Sequence, residues 1–316
     1  MSEAGGWPGR EIMERGHDYR IGVMWSFVSA FLWGTMFVAA RCLLRDGRGD
    51  PVTLSMIRFL IGGGILMAFG LAFCRERLLA VTAKDLLECA LLGLFGVAGM
   101  SVLLFFGQQF TTAINGAMIM QVSPILILFA GTLIGERLRP AQIAGVFVSL
   151  FGCLMVVGVI TRTGIAYSSD HLQGDLMVFL SACCWTVYTV AGKKTVERLG
   201  GFAATTWALM LGGLELALLR AILPTPTVWP TGWGDWGTVI YLAIFPSGVA
   251  FFAWYEAMNR IELSLLNVMQ YLTPVVTISL AWLLLGERLG WLNGIGVALV
   301  LVGVVLTHER KQQCRR

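Results

Sequence analysis

The side chains able to do chemistry in this 316-residue chain are few, and most carry no charge. Asn267, Gln270, Tyr271 and Pro274 recur at i, i+3, i+4 and i+7, which predicts one face of a helix. Asn115, Met118 and Gln121 stand ahead of Pro124 in a similar way. A proline removes one helical donor and frees a carbonyl one turn back, so each group makes a local polar spot at a bending point. Uncharged amides beside a freed carbonyl suit a neutral or zwitterionic solute, and the bland alternative is hydrogen bonding between helices. At about 100° per residue Ser26, Ser29 and Trp33 share a face, and so do Ser181, Trp185 and Tyr188. Trp33, Trp185, Tyr188 and Tyr271 would favour amphipathic or aromatic solutes. The serines serve helix packing equally well.

Two charges sit deep inside apolar stretches. Arg58, six residues past Val52, is about 9 Å and Glu215, eight residues before Leu223, about 12 Å deep from the same side of the membrane, at 1.5 Å per residue, and a charge at such depth is costly. The two pair with each other, or Glu215 carries coupling protons, or Arg58 snorkels to the headgroups. Glu256 is the next candidate for coupling. Enzyme motifs are absent: there is no HExxH, no Walker A loop, and His17, His171 and His308 all lie outside the apolar stretches. Gly232 to Gly237 spells GxGxxG but follows Pro230 in a loop, without the strand that a dinucleotide site needs. The seven cysteines have neither CxxC nor Cys/His spacing and read as small core residues. No catalytic residue, metal or cofactor is expected.

The elements that must position these residues follow from composition. With 57% hydrophobic and 13% charged residues and a mean hydropathy of +0.75, the chain is too apolar for a soluble protein, which carries about 25% charged residues. Lipid is the solvent for most of it. A bilayer core takes about 20 apolar residues per helix, and that ruler predicts ten spans: 21–40, 52–73, 86–106, 113–134, 143–160, 174–192, 202–223, 239–258, 263–285 and 290–307. A β-barrel is excluded because the runs do not alternate. With the N-terminus inside, the inner segments hold sixteen Lys and Arg and the outer loops six, which places both termini in the cytoplasm of an inner (plasma) membrane. Trp229, Trp233 and Trp236 fit an outer interfacial belt. The net charge of +4 is spread over short groups, so a cytoplasmic edge explains it and nucleic acid does not.

The halves repeat. Ser29-Ala30-Phe31-Leu32-Trp33 matches Ser181-Ala182-Cys183-Cys184-Trp185, and Gly135-Glu136-Arg137-Leu138 matches Gly286-Glu287-Arg288-Leu289. Gly145 and Gly152 match Gly296 and Gly303, and Pro124 pairs with Pro274. Five spans per copy is an odd number, so the second copy enters the membrane from the opposite side. The expected fold is all-α and integral to the membrane, with ten transmembrane helices in two inverted five-helix repeats. They occupy 21–160 and 174–307, between a cytoplasmic segment 1–20 and a tail 308–316. Inverted repeats signal secondary transporters, in which a midplane site is exposed alternately to either side.

Trp33-Gly34-Thr35, Pro51 with Arg58, and the two prolines before the Gly-Glu-Arg-Leu segments resemble the EamA-like branch of the drug/metabolite transporter superfamily over nearly the whole chain. That resemblance implies ten helices around a central cavity and movement of small organic solutes, often outward. The expected activity is export of small organic metabolites, such as amino acids or drug-like amphipathic solutes, by a monomer or homodimer in the lipid bilayer. The rival readings are an integral-membrane enzyme acting on lipid-linked substrates and a non-transporting membrane subunit. The first would need clustered acid/base side chains, and only scattered carboxylates are present.

Overall fold

A computed structural model describes residues 8–44, 49–110, 119–132, 139–156, 160–161, 164–165, 172–224, 227–285 and 291–308. The described chain is helical apart from a two-residue ribbon, Ile160–Thr161 paired antiparallel with Gly164–Ile165. The helices are α1 (Pro8–Leu44), α2 (Pro51–Phe73), α3 (Arg75–Leu79), α4 (Ala83–Phe110), α5 (Ser123–Gly131), α6 (Pro140–Val156) and α7 (Leu172–Leu199). They continue as α8 (Gly201–Ile222), α9 (Trp233–Met258), α10 (Leu263–Met269), α11 (Leu272–Leu285) and α12 (Trp291–His308). Six of them, α1, α2, α4, α7, α8 and α9, are long and apolar enough to cross a membrane. Their outward faces are apolar: Phe69, Phe73, Leu218 and Ile222 are exposed, as a lipid solvent requires.

Local chemistry sets the boundaries. Asp50 caps α2 by accepting from the Thr53 N–H at 2.9 Å, and Pro51 opens the helix where no donor is missed. Thr82 and Asp85 form a reciprocal capping box at the start of α4. Gly200, at φ 81°, makes the sharp corner between α7 and α8.

Three expectations change. The helix at the fifth expected span is described as far as Val156 and does not include Ile160, which belongs to the ribbon. Spans four and nine are interrupted instead of bent, with turns at Gln121-Val122 and Gln270-Tyr271. Pro124 and Pro274 fall in the first turn of α5 and α11, where a missing N–H costs no helical bond. Each proline therefore starts a second half-helix. The GxGxxG stretch is also no loop: Gly232 caps α9, and the remainder forms its first turn.

The two halves of the chain interlock. α2 packs on α8 and α9, α4 on α7 and α8, α1 on α9 and α11, and α6 along α12. π-helical turns interrupt α4 at Leu94–Gly99 and α9 at Ala243–Val249. The α6–α12 contact is reciprocal: a Cβ on Gly152 would lie 2.6 Å from the Gly296 carbonyl, and one on Gly303 would lie 2.5 Å from that of Gly145. Only glycine permits backbones this close.

Candidate functional site

Where these helices meet, a cavity of about 540 Å³, its open mouth included, is bounded by the two helix breaks and by α1, α2, α4, α7 and α9. The motif Trp33-Gly34-Thr35 builds one wall. Trp33 faces the cavity and donates its indole N–H to the Pro246 carbonyl at 3.1 Å, inside the π-helical turn of α9. Gly34 admits α11, since a Cβ there would lie 2.6 Å from Val276. Thr35 shares a 2.5 Å hydrogen bond with the Tyr241 hydroxyl and also donates to Leu32 O of its own helix.

An aromatic cluster closes the chamber. Trp33 meets Phe251 edge-on at 5.6 Å and Trp254 at 5.4 Å, and Trp185 meets Phe251 at 5.7 Å. Trp185 stacks on Tyr188 at 5.2 Å, which stacks on Tyr255 at 4.9 Å. Tyr188 is thus buried behind Trp185 and supports it without lining the cavity.

Of the amides, Gln121 and Gln270 line the cavity from the two helix breaks. Asn267 is buried away from it, with neither side-chain atom hydrogen-bonded. Tyr271 is also fully buried, and its hydroxyl donates to the Gln121 carbonyl at 3.3 Å, tying one break to the other. Asn115 and Met118 fall outside the described residues. The serines of the shared faces do not line the cavity. Ser29 donates to the Ser26 carbonyl at 2.9 Å, Ser26 to that of Val23 at 2.7 Å, and Ser181 across to Met100 at 2.8 Å. A helical hydroxyl bonds readily to a carbonyl one turn back, so Ser26 and Ser29 are satisfied within α1, Ser181 ties α7 to α4, and none of the three leaves a donor for a solute.

The charged candidates separate. Arg58 is 1% exposed and lines the cavity, so it does not snorkel. Glu215 is half-buried on α8 and makes no ion pair with it. Glu256 is engaged with Arg260 one turn on.

Residues not singled out from sequence supply the rest of the wall: Met36 and Phe37 one turn beyond Trp33, Met100 and Leu104 on α4, Met120 and Ser123 at the first break, Thr273 at the second, and Phe251. Their i+3 and i+4 spacing from Trp33 was the available signal for Met36 and Phe37. The lining formed by the described residues is mostly apolar, with one cation, two amides and the hydroxyls of Ser123 and Thr273, a chemistry suited to a small amphipathic solute. Among the described residues no group of His, Cys, Asp and Glu could hold a metal ion.

Comparison with known proteins gives the same direction. The model of the EamA-like transporter family matches residues 20–158 and again 172–308. An uncharacterized transporter of Archaeoglobus fulgidus is 28% identical over 90% of this chain and 96% of its own length. The aromatic amino acid exporter YddG of Ancylobacter novellus is 32% identical over 79% of this chain and 84% of its own. One crystal structure at 27% identity superposes with a TM-score of 0.74, covering 90% of this chain and 95% of that one. With both halves matched to one transporter family and long apolar helices meeting around a central cavity, the chain belongs to the EamA-like transporter family and is a multi-pass membrane transporter.

Proposed function

We propose that this protein is a secondary transporter that exports small organic solutes of the amino-acid class by alternating access through the central cavity. The observation that carries this reading is the cavity itself, walled by Trp33, Trp185 and Phe251 and flanked by helix breaks at Gln121 and Gln270. Broken helices at a central site are the usual way a membrane carrier offers backbone and amide groups to a solute. The reading of ten spans in two inverted repeats is supported by reciprocal contacts: Gly152 against Gly296, and Gly303 against Gly145, relate matched positions as a two-fold axis would. The grouping of loops onto one side is supported by ion pairs between segments assigned together, Arg198 with Asp85 and Arg139 with Glu262, and the reading of that side as cytoplasmic rests on the Lys and Arg counts.

The choice of solute draws on similarity. Besides the aromatic amino acid exporter, a relative named probable terminal-alkyne amino-acid exporter, from Streptantibioticus cattleyicolor, is 29% identical over 93% of this chain. Purified protein in liposomes without nucleotide, loaded with a mixture of amino acids and related amphipathic metabolites, tests the reading. Efflux of a subset driven only by gradients is the expected result. Absence of any efflux above protein-free liposomes would refute it.

A further inference from the structure

We infer that Arg58 is the docking group for a solute carboxylate, so that the solute is an apolar molecule bearing one carboxylate. The inference rests on the transport reading above but concerns binding. Arg58 is among the largest fully buried side chains and lines the central cavity. Its guanidinium carbon lies 4.4 Å from the ring centroid of Phe59 and 4.9 Å from that of Phe105. Nη1 reaches the Met36 sulfur at 3.2 Å, a weak acceptor, and Nε has no partner. No ion pair involves Arg58 among the described residues.

A buried guanidinium without a counter-charge is strongly unfavourable, and aromatic faces offset only part of that cost. A structural arginine would have been given a carboxylate, as Arg220 has Asp50 and Arg198 has Asp85. Arg58 instead presents its charge where a solute enters. The planar fork of donors matches a carboxylate in bidentate fashion. The walls state what the carboxylate is attached to: Trp33, Trp185, Phe251 and Met100 accept an apolar or aromatic body, and the described lining holds no second cation for a polyanion.

Three probes separate the charges on one carbon skeleton: L-phenylalanine, 3-phenylpropionate, which lacks the ammonium, and phenethylamine, which lacks the carboxylate. Thermal stabilisation of the purified full-length protein reads binding without transport. L-phenylalanine and 3-phenylpropionate are expected to raise the midpoint, and phenethylamine to leave it unchanged. Arg58→Lys keeps the charge but not the fork and is expected to need about tenfold more of either acid, while Arg58→Gln loses the shift. Equal protection by phenethylamine, no shift with any probe, or a shift retained in Arg58→Gln would each overturn the inference. The wild-type series needs no variant to fold. If the acids bind by this measure and liposomes show no efflux, the transport reading fails and the docking assignment stands.

Discussion

The indole of Trp33 meets the indole of Trp185 edge to face, with centroids 5.1 Å apart and planes at 87°. The two tryptophans occupy matching places in the two copies of the repeat, and the cavity opens beside their contact. Gln121 and Tyr271, each three residues before a matched proline, touch in the same way. In the inverted-repeat reading proposed above, matched residues that meet one another lie near the axis relating the halves, which is where alternating access places a solute.

The cavity tryptophans are expected to matter more than the surface ones. Trp33→Ala or Trp185→Ala should weaken solute binding by about tenfold or more, as loss of a buried aromatic contact does. The same change at Trp233, which is 96% exposed, should leave binding unchanged. Equal losses at the cavity and surface sites in a binding titration would mean the aromatics serve folding.

Trp33→Phe isolates one bond. It keeps a ring but removes the donor to Pro246, and should lower stability by about 1 kcal/mol. Thermal unfolding in detergent checks this.

Where the start of α4 meets the end of α7, Arg198 donates to Asp85 at 2.8 Å and to Glu88 at 2.5 Å, with Thr195 also on Glu88. Arg198 and Glu88 are partly solvated, so a double-mutant cycle on Arg198 and Asp85 should give about 1 kcal/mol or less at low salt. The coupling should shrink as ionic strength rises. A coupling indifferent to salt would contradict the geometry.

Glu215 meets neither the cavity nor Arg58. Glu215→Gln should therefore leave gradient-free solute exchange and gradient-driven accumulation both intact. Loss of accumulation with exchange retained would instead assign proton coupling to this carboxyl.

Topology is checked by single cysteines in a cysteine-free background. Arg45→Cys and Arg162→Cys should react with an impermeant thiol reagent in whole cells, and Arg77→Cys and Lys194→Cys should not. Labelling at position 77 would remove the inverted-repeat reading.

The sequence alone determined the solvent, the six long apolar helices, the faces of Trp33 and Trp185, and the two proline positions, because each depends on local periodicity and composition. Helical spacing names the residues that share a face but not the neighbour that face will meet. Asn267 and Gln270 are one turn apart, yet only Gln270 reaches the cavity. Ser29 shares the face of Trp33, but its hydroxyl is taken by a carbonyl of its own helix. The prolines marked an irregularity, and the structure shows that it is a break, with turns at Gln121-Val122 and Gln270-Tyr271. The surroundings of Arg58 were likewise invisible, since whether a buried charge has a partner depends on helices distant in the chain, and only their packing left it facing Met36 and two rings with no carboxylate among the described residues.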